Sequence, residues 1–398
     1  MKEAFLFDAL RSPRGRAKDS GGLHELTPQA LLQQLYAALV ERSGLDPASV
    51  DDVILGCVTQ QGEQAGNIAK SSTLYSGWPT WVPGITVNRY CSSGIDAIAL
   101  AGAKINAGLA DTVVAGGVEM MSRVPMLADK ARVFGDPEFA AACRMLMMGS
   151  GADLIASLHG VSREAADAVA LASQQRAAQA REAGYFRRSL VPIATSQGTV
   201  AQDECIRAGI SAEDLATLPA AFAEIGAAGT DALQLQGHDH LESITHIHTA
   251  GNSPAMADGA ALVLAGDNEL ASRSGMSPRA RISASVTVSA DPLQVLSGCV
   301  EAARALMQRQ GLSSADVDLF EIHEAFAATS IMCQRTLGID DAKLNVNGGV
   351  IALGHPMGAT GAMMAGMLID ELERRDLGCG IVSAAGAAGT GSALFIER

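Results

Sequence analysis

The sequence predicts an α/β fold built from two related halves, and three observations carry that expectation. First, the chain repeats itself at long range: Arg42-Ser43-Gly44-Leu45-Asp46-Pro47-Ala48-Ser49-Val50-Asp51 is matched by Arg309-Gln310-Gly311-Leu312-Ser313-Ser314-Ala315-Asp316-Val317-Asp318, 267 residues further on (309 against 42). Second, each copy follows an amphipathic helical pattern, over about 28–42 and 292–309, and leads into an apolar run, Val53-Ile54-Leu55 or Leu319-Phe320-Glu321-Ile322. A helix, a Gly-Leu stop, an acidic turn and a strand, occurring twice, describe two α/β units. Third, each half carries a strand-to-helix corner with a reactive residue type in it, Cys91 in one and His355 in the other.

Met1-Lys2-Glu3-Ala4-Phe5-Leu6-Phe7 enters a strand directly, without the long apolar stretch and cleavage site of a secretory leader. Residues 84–88 read as a short buried strand, and Ile95, Ile98, Ala99, Ala101 and Ile105 then recur at helical spacing. Cys91 therefore precedes a helix N-terminus, where unpaired N–H groups and the helix dipole favour a thiolate. At the matching corner, Asn347-Gly348-Gly349-Val350-Ile351-Ala352-Leu353-Gly354-His355-Pro356 turns into a helix from Ala359 to Arg374. Two such helices can aim their N-termini at one cleft. The region 120–250 reads as an insertion carried by the first half, helical over 162–184 with Ser162 as its cap and irregular afterwards, with Pro192, Pro219 and a Gly/Ala-rich stretch near 226–230.

Composition narrows the class. The 398 residues are 48% hydrophobic and 18% charged, which describes a globular chain long enough for two or three domains. A net charge of −14 without a basic cluster argues against nucleic acid. Seven dispersed cysteines without a Cys-x-x-Cys pair read as reduced thiols of a cytoplasmic protein. No run of about 18 uncharged apolar residues offers a membrane span. The pairs His238/His240 and His246/His248 would each face one side of a strand, but no cysteine or Glu-x-x-His completes a zinc site, so no metal is expected.

With Cys91, Gly116-Gly117-Val118-Glu119-Met120-Met121-Ser122, His323-Glu324-Ala325-Phe326-Ala327 and Gly354-His355-Pro356-Met357-Gly358 in this order, the chain resembles the thiolases along essentially its whole length. The resemblance implies the five-layered αβαβα thiolase fold. One half would span 1–120 completed by 250–270, the inserted loop domain 121–249, and the second half 271–398. It implies an acyl-CoA C-acyltransferase cleaving 3-ketoacyl-CoA through an acyl-Cys91 intermediate in the degradative direction. Coenzyme A would be a substrate with no permanently bound cofactor, in a homodimer or tetramer whose tetramer contacts lie in 123–146.

By the same resemblance His355 takes the proton of Cys91 and helps form an oxyanion hole for the thioester carbonyl, and His323 is a donor to a developing oxyanion. Glu119 and Ser122 would support the active-site loops. Arg207 in Asp203-Glu204-Cys205-Ile206-Arg207 would stack on the CoA adenine. Ser253 in Thr249-Ala250-Gly251-Asn252-Ser253-Pro254 and Met148 in Met147-Met148-Gly149 would meet the pantetheine. The chain departs from the family where most thiolases carry a second catalytic cysteine. Counted back from Ala393-Leu394-Phe395-Ile396-Glu397, that position is Ala385, and the paired glycine is Ala387, whose backbone N–H still serves an oxyanion hole. Ser383, or more remotely Cys379, is a possible substitute. The missing cysteine opens two alternatives: an acyltransferase or hydrolase without carbon–carbon chemistry, and a non-catalytic CoA-binding subunit.

Overall fold

The repeat in the sequence is also a repeat of hydrogen bonds. The computed structural model describes residues 2–398, so that Met1, where the expected first half begins, lies outside them. The first half contributes β1 (Phe5–Arg11), β2 (Asp52–Gly56), β3 (Gly84–Val87), β4 (Thr112–Met120) and β5 (Ala257–Gly266). The second contributes β6 (Ala280–Ser289), β7 (Leu319–Ile322), β8 (Cys379–Ala385) and β9 (Thr390–Glu397). The helices that matter are α1 (Pro28–Ser43), α2 (Ile68–Tyr75), α3 (Ser93–Asn106), α4 (Met148–Leu158), α5 (Arg163–Ala183), α6 (Gly298–Gln310), α7 (Ala327–Leu337) and α8 (Met357–Arg375).

The strands run β7-β8-β9-β6-β1-β5-β4-β2-β3, with a two-residue strand, Gly15–Arg16, paired to β5. Read from the outer edge inward, the first half is ordered third, second, fourth, fifth, first. The second half repeats that order, with the third place held by Leu344 in an isolated parallel bridge to Phe320. Within the sheet, the strands of the two halves pair at Phe5↔Arg281 and Leu6↔Ala280. The turn residues repeat as well. Gly44 and Gly311 end α1 and α6 at φ 65° and 68°, the left-handed conformation that glycine adopts without a Cβ clash. The Asp51 carboxylate accepts from the N–H groups of Asp111 and Thr112 at 2.7 and 3.0 Å, and the Asp318 carboxylate from Gly378 and Cys379 at 2.9 and 3.0 Å.

Side chains alternate across these strands, which makes the layers. Val53, Leu55, Val114 and Val118 face outward onto Leu31, Leu32, Leu35 and Leu39 of α1. Ile54, Val113 and Ala115 face inward, where Ile95 and Ile98 of α3 and Met363 and Leu368 of α8 meet Val382, Ala384 and Leu394 from the second half. On the far side, Phe320, Ile381 and Phe395 pack against Ala302, Leu306 and Met332 of α6 and α7. The result is helix, sheet, central helices, sheet, helix, the expected five layers. Local signals start the helices where the sequence places them. Thr27 accepts from the Ala30 N–H before Pro28, and Ser162 from the Ala165 N–H before α5.

Two expectations need correction. The strand at 84–88 is not buried: β3 is the outer edge, and Ile85 is 47% exposed. Residues 238–248 form no strand, so the His-x-His pairs do not present themselves as alternate strand positions. Segment 121–249 adds no strand to the large sheet among the described residues. It folds α4, α5 and a small hairpin (Ile193–Thr195 with Gly198–Val200), and its Leu154, Ile155, Ala166 and Ala170 join the second half's outer core.

The central helices cross at close range because glycines face each other. A Cβ on Gly361 would lie 2.6 Å from the Ile95 nitrogen, and one on Gly94 2.7 Å from the Ala362 nitrogen. Gly361→Ala is expected to lower stability by about 1–3 kcal/mol in urea unfolding, the usual cost of overpacking, whereas Gly135→Ala, with open space at its Cβ, leaves the midpoint unchanged.

Candidate active site

The corner at the end of β3 is built to expose one thiol. The Asn88 side chain accepts the Tyr90 N–H at 2.8 Å, and Tyr90 takes the left-handed conformation at φ 51°. The Ser93 hydroxyl donates to the Tyr90 carbonyl and accepts the Arg89 N–H, closing the turn. The Ser92 hydroxyl donates to the Ala384 carbonyl at 2.8 Å, tying the corner to β8 of the other half. Cys91 sits between these anchors, immediately before α3.

The matching corner of the second half supplies His355. Its backbone N–H donates to the Ala255 carbonyl at 2.8 Å. Its Nδ1 pairs with Thr360 Oγ1 at 2.7 Å, one turn into α8, and its Nε2 lies 3.1 Å from Cys91 Sγ. This is the arrangement of nucleophile, base and orienting group that activates a cysteine. His323, at the end of β7, donates its backbone N–H to the Ser383 carbonyl and places its ring centroid 4.5 Å from that of His355. Cys91 Sγ and one nitrogen of each histidine lie within 4.8 Å of one another.

Burial sets the charge states. His323 is buried, and neither ring nitrogen has a hydrogen-bond partner among the described residues. Burial holds it down to about 4 and His355 well below the usual histidine range, so both rings are neutral near pH 7. The same burial, with the Glu119 charge added, pushes the Cys91 thiol up to about 12. This corrects the thiolate expectation. Desolvation and the Glu119 charge outweigh the backbone hydrogen bond that favours the thiolate, so Cys91 rests as a thiol and His355 takes its proton at the moment of attack.

Glu119 itself lies at the end of β4. Its carboxylate accepts the N–H groups of Val58, Thr59 and Gly358 at 3.0 Å each and the Gln64 amide at 2.8 Å, which fits the supporting role expected for it. Ser122 donates its N–H to Asp258 and pairs its hydroxyl with His24.

The segment that departs from the family pattern is well placed. Ala385 ends β8 and is fully buried, Ala387 lines the cavity beside Cys91, and Ala388 occupies a left-handed conformation at φ 55°. Ser383 does not replace the missing cysteine: its buried hydroxyl donates to the Cys299 carbonyl at 2.8 Å and sits 3.2 Å from the Ser392 carbonyl, on the side of α6. Cys379 is at the opposite end of the strand, with its thiol on the Asp316 carbonyl at 3.4 Å.

A cavity of about 310 Å³ opens on Cys91. Met126, Leu127, Val133, Phe134, Met148 and Met357 supply its apolar wall, and Thr59, Asn88, Tyr90 and Asp129 its polar groups. Met148 is on the wall of the cavity that opens at Cys91. Arg207 and Ser253 do not line this cavity. Arg207 is half-buried, with its guanidinium on the Gly251 carbonyl at 3.2 Å and its N–H on Gln174, so that it braces the Thr249–Asn252 turn. That turn is held by the Thr249 N–H on the Asn252 side chain, and its Asn252 carbonyl accepts the Ala327 N–H at the start of α7. The Ser253 hydroxyl oxygen is buried without a hydrogen-bond partner among the described residues. The side chains of the His246/His248 pair are taken up in hydrogen bonds. His246 bridges Asp153 and Asp231 at 2.8 and 3.0 Å, and His248 holds Asp153 at 2.6 Å. Thr360, Tyr90, Asp129 and Met126 were not singled out from the sequence; Thr360, five residues after His355 on the next helix, carried the one usable signal.

The profile described as thiolase, N-terminal domain, matches residues 4–232, and that of thiolase, C-terminal domain, residues 276–398. A 3-ketoacyl-CoA thiolase of Bacillus subtilis is 38% identical and a beta-ketoadipyl-CoA thiolase of Acinetobacter baylyi 37%, each with all of both chains covered. Among solved structures, the Bacillus anthracis acetyl-CoA acetyltransferase superposes with a TM-score of 0.85 at 36% identity, and human mitochondrial 3-ketoacyl-CoA thiolase with 0.86 at 31%, each covering 100% of this chain and 99% of the other.

The depressed histidines make stability fall on the acid side. Unfolded histidine takes up a proton below about pH 6.5 while the buried rings do not, so stability is present above that pH and is lost as pH falls towards 4. Each ring contributes a slope of up to about 1.4 kcal/mol per pH unit. Urea unfolding between pH 6.5 and 5 is therefore expected to show a shallower acid loss for His323→Asn than for the unaltered protein.

Proposed function

The chain belongs to the thiolase family, and from that premise we propose that it cleaves 3-ketoacyl-CoA with CoA, in the degradative direction, through an acyl group carried on Cys91. The observation that carries the reading is the 3.1 Å contact between Cys91 Sγ and a neutral His355 whose other nitrogen is engaged by Thr360. In this reading His355 Nε2 takes the thiol proton as Sγ attacks the C3 carbonyl, and an N–H of His323 meets the oxygen as it becomes negative. Positioned donors of this kind contribute a few kcal/mol in a dry site. The Ala387 N–H serves the thioester oxygen of the departing acetyl-CoA. CoA then attacks the acyl-Cys91 thioester, its thiol proton passing through His355 to Cys91 Sγ. Met148 and the unpartnered Ser253 hydroxyl meet the pantetheine, and Arg207 the adenine.

The acyl group fits the apolar wall of the cavity. Among the described residues no lysine or arginine lines it, and Asp129 does. A tail that ends in a carboxylate, as in the substrate named for the beta-ketoadipyl relative, would meet like charge there. We therefore assign an uncharged acyl tail.

The protein works as a homodimer or larger assembly. Leu74, Tyr75, Trp81 and Ile85 are exposed together around α2 and the edge strand β3, and a second copy would cover them. Residues 123–146, with Phe139 exposed, would serve a tetramer. The division into 1–120 with 250–270, 121–249 and 271–398 accords with β5 lying between β1 and β4. All seven cysteines are free, which suits a reducing cytoplasm, and no helix is long and apolar enough to cross a membrane. Ala385 favours one second reading, an acyltransferase that loads Cys91 but performs no carbon–carbon step.

CoA-dependent cleavage of 3-ketooctanoyl-CoA is the deciding assay. Turnover abolished by Cys91→Ala supports thiolysis; acetyl loading of Cys91 without turnover supports the second reading. Cleavage of 3-oxoadipyl-CoA is expected to be slower, and Asp129→Asn to raise its kcat/KM about tenfold while leaving that of 3-ketooctanoyl-CoA within about twofold, the scale of one like-charge contact in a partly wet cleft.

A further inference from the structure

The reaction proposed above needs one proton delivered to the substrate's α-carbon, and the side chain at position 385 is a methyl group. Ser383 and Cys379 are committed elsewhere. Among the described histidines, cysteines and carboxylates, those clustered within 4.8 Å of Cys91 Sγ are His355 and His323, while Tyr90 and Asp129 line the same cavity outside that cluster. His355 is occupied on both sides, by Thr360 and by the thiol. His323 is buried, with both ring nitrogens unpartnered, and lies against the His355 ring. An unsatisfied buried imidazole is costly and calls for an explanation. A role on substrate supplies one.

We propose that His323 is the proton-transfer group for the α-carbon in this protein, taking the place of the second cysteine. The inference rests on the thiolysis reading. The atoms balance without solvent. As Sγ bonds to C3, the Cys91 proton passes to His355 Nε2. The C2–C3 bond breaks with its electron pair held as the enolate of the departing acetyl thioester. His323 gives its N–H proton to C2, and the proton taken from Cys91 passes from His355 to His323 and restores it. Condensation runs the same steps backwards, with His323 removing a proton from the methyl group of acetyl-CoA.

The test uses the full chain and three variants, His323→Asn, Ala385→Cys and the double variant. Three quantities are read: acetyl loading of Cys91 from acetyl-CoA by mass, exchange of the acetyl-CoA methyl protons into D2O, and thiolysis of 3-ketooctanoyl-CoA. In the unaltered protein all three are expected. His323→Asn keeps an amide N–H for the oxygen that forms on loading, so loading falls by no more than about tenfold, which also shows that it is folded, whereas exchange and thiolysis fall together by about a hundredfold or more, the usual worth of a positioned proton donor. Ala385→Cys placed on His323→Asn returns both by about tenfold and gives exchange a pH profile of its own, which a merely structural histidine would not produce. Exchange within about threefold of the unaltered protein in His323→Asn, or a double variant no better than His323→Asn, overturns the inference while leaving the thiolase reading intact. An unaltered protein that loads Cys91 but neither exchanges nor cleaves overturns both.

Discussion

The Glu119 carboxylate is the constraint on which the site depends. It is fully buried, and it gathers N–H groups from Val58 and Thr59 after β2 and from Gly358 at the start of α8. Those segments belong to different halves of the chain and carry the two sides of the reaction centre. Thr59 lines the cavity at Cys91, and Gly358 lies three residues after His355. Burial raises the pKa of this carboxyl, and the three backbone donors oppose that rise. A neutral or shorter side chain would leave some of those N–H groups buried and unpaired, at about 1–3 kcal/mol each. Close approach adds to the same joint: a Cβ on Gly117 would lie 2.2 Å from the Gly358 carbonyl oxygen, so α8 seats directly on β4. Nucleophile and base, 264 residues apart in sequence, thereby meet at hydrogen-bond distance.

Duplication explains why this joint is possible. Two copies of one unit place two equivalent corners, after β3 and before α8, on either side of a pseudo-symmetric layer. One corner has a cysteine and the other a histidine. The insertion then completes what symmetry leaves open. Its Gly149 approaches the ring of Phe222, which packs edge-on against Phe326 beside His323. The Asp153 carboxylate also takes the backbone N–H groups of Ile247 and His248, fixing the approach to the Thr249–Asn252 turn. The His246/His248 pair thus serves positioning within the insertion.

How much of this is legible in sequence follows from range. The halves, their offset and the helix caps are local patterns, and Gly44 with Gly311, Thr27 and Ser162 do what such residues do wherever they stand. Cys91, His323 and His355 are also readable, since each sits in a short motif. The thiol's protonation is not, because it is decided by how completely water is excluded from the corner, and a helix N-terminus viewed alone gives the opposite sign. The exposure of β3 is equally hidden: an apolar edge strand and an apolar central strand have the same composition, and only neighbours distinguish them. Asp129 enters the cavity from a segment with no periodicity at all, and Arg207 turns back onto its own neighbouring turn. Side-chain direction in irregular chain is set by tertiary contacts that no spacing rule encodes.

The charge states of the site fit its altered composition. Burial that raises a thiol and lowers two imidazoles produces a centre with no resident ion pair, where the reacting protons move only when substrate draws charge into it. A second cysteine at this fully buried position would itself be held protonated by desolvation, so its absence removes a proton carrier without disturbing the neutrality of the rest. The vacated position, Ala385, ends a strand whose neighbour carries His323, and the methyl leaves that ring with no side-chain hydrogen bond, only the Ala385 backbone favouring its charged form. A buried neutral histidine responds strongly to a charge that develops beside it, because desolvation leaves little to screen the field. The departing enolate is such a charge. The feature that looks like a deficiency in the sequence is, in the fold, the condition under which an otherwise unsatisfied imidazole becomes reactive.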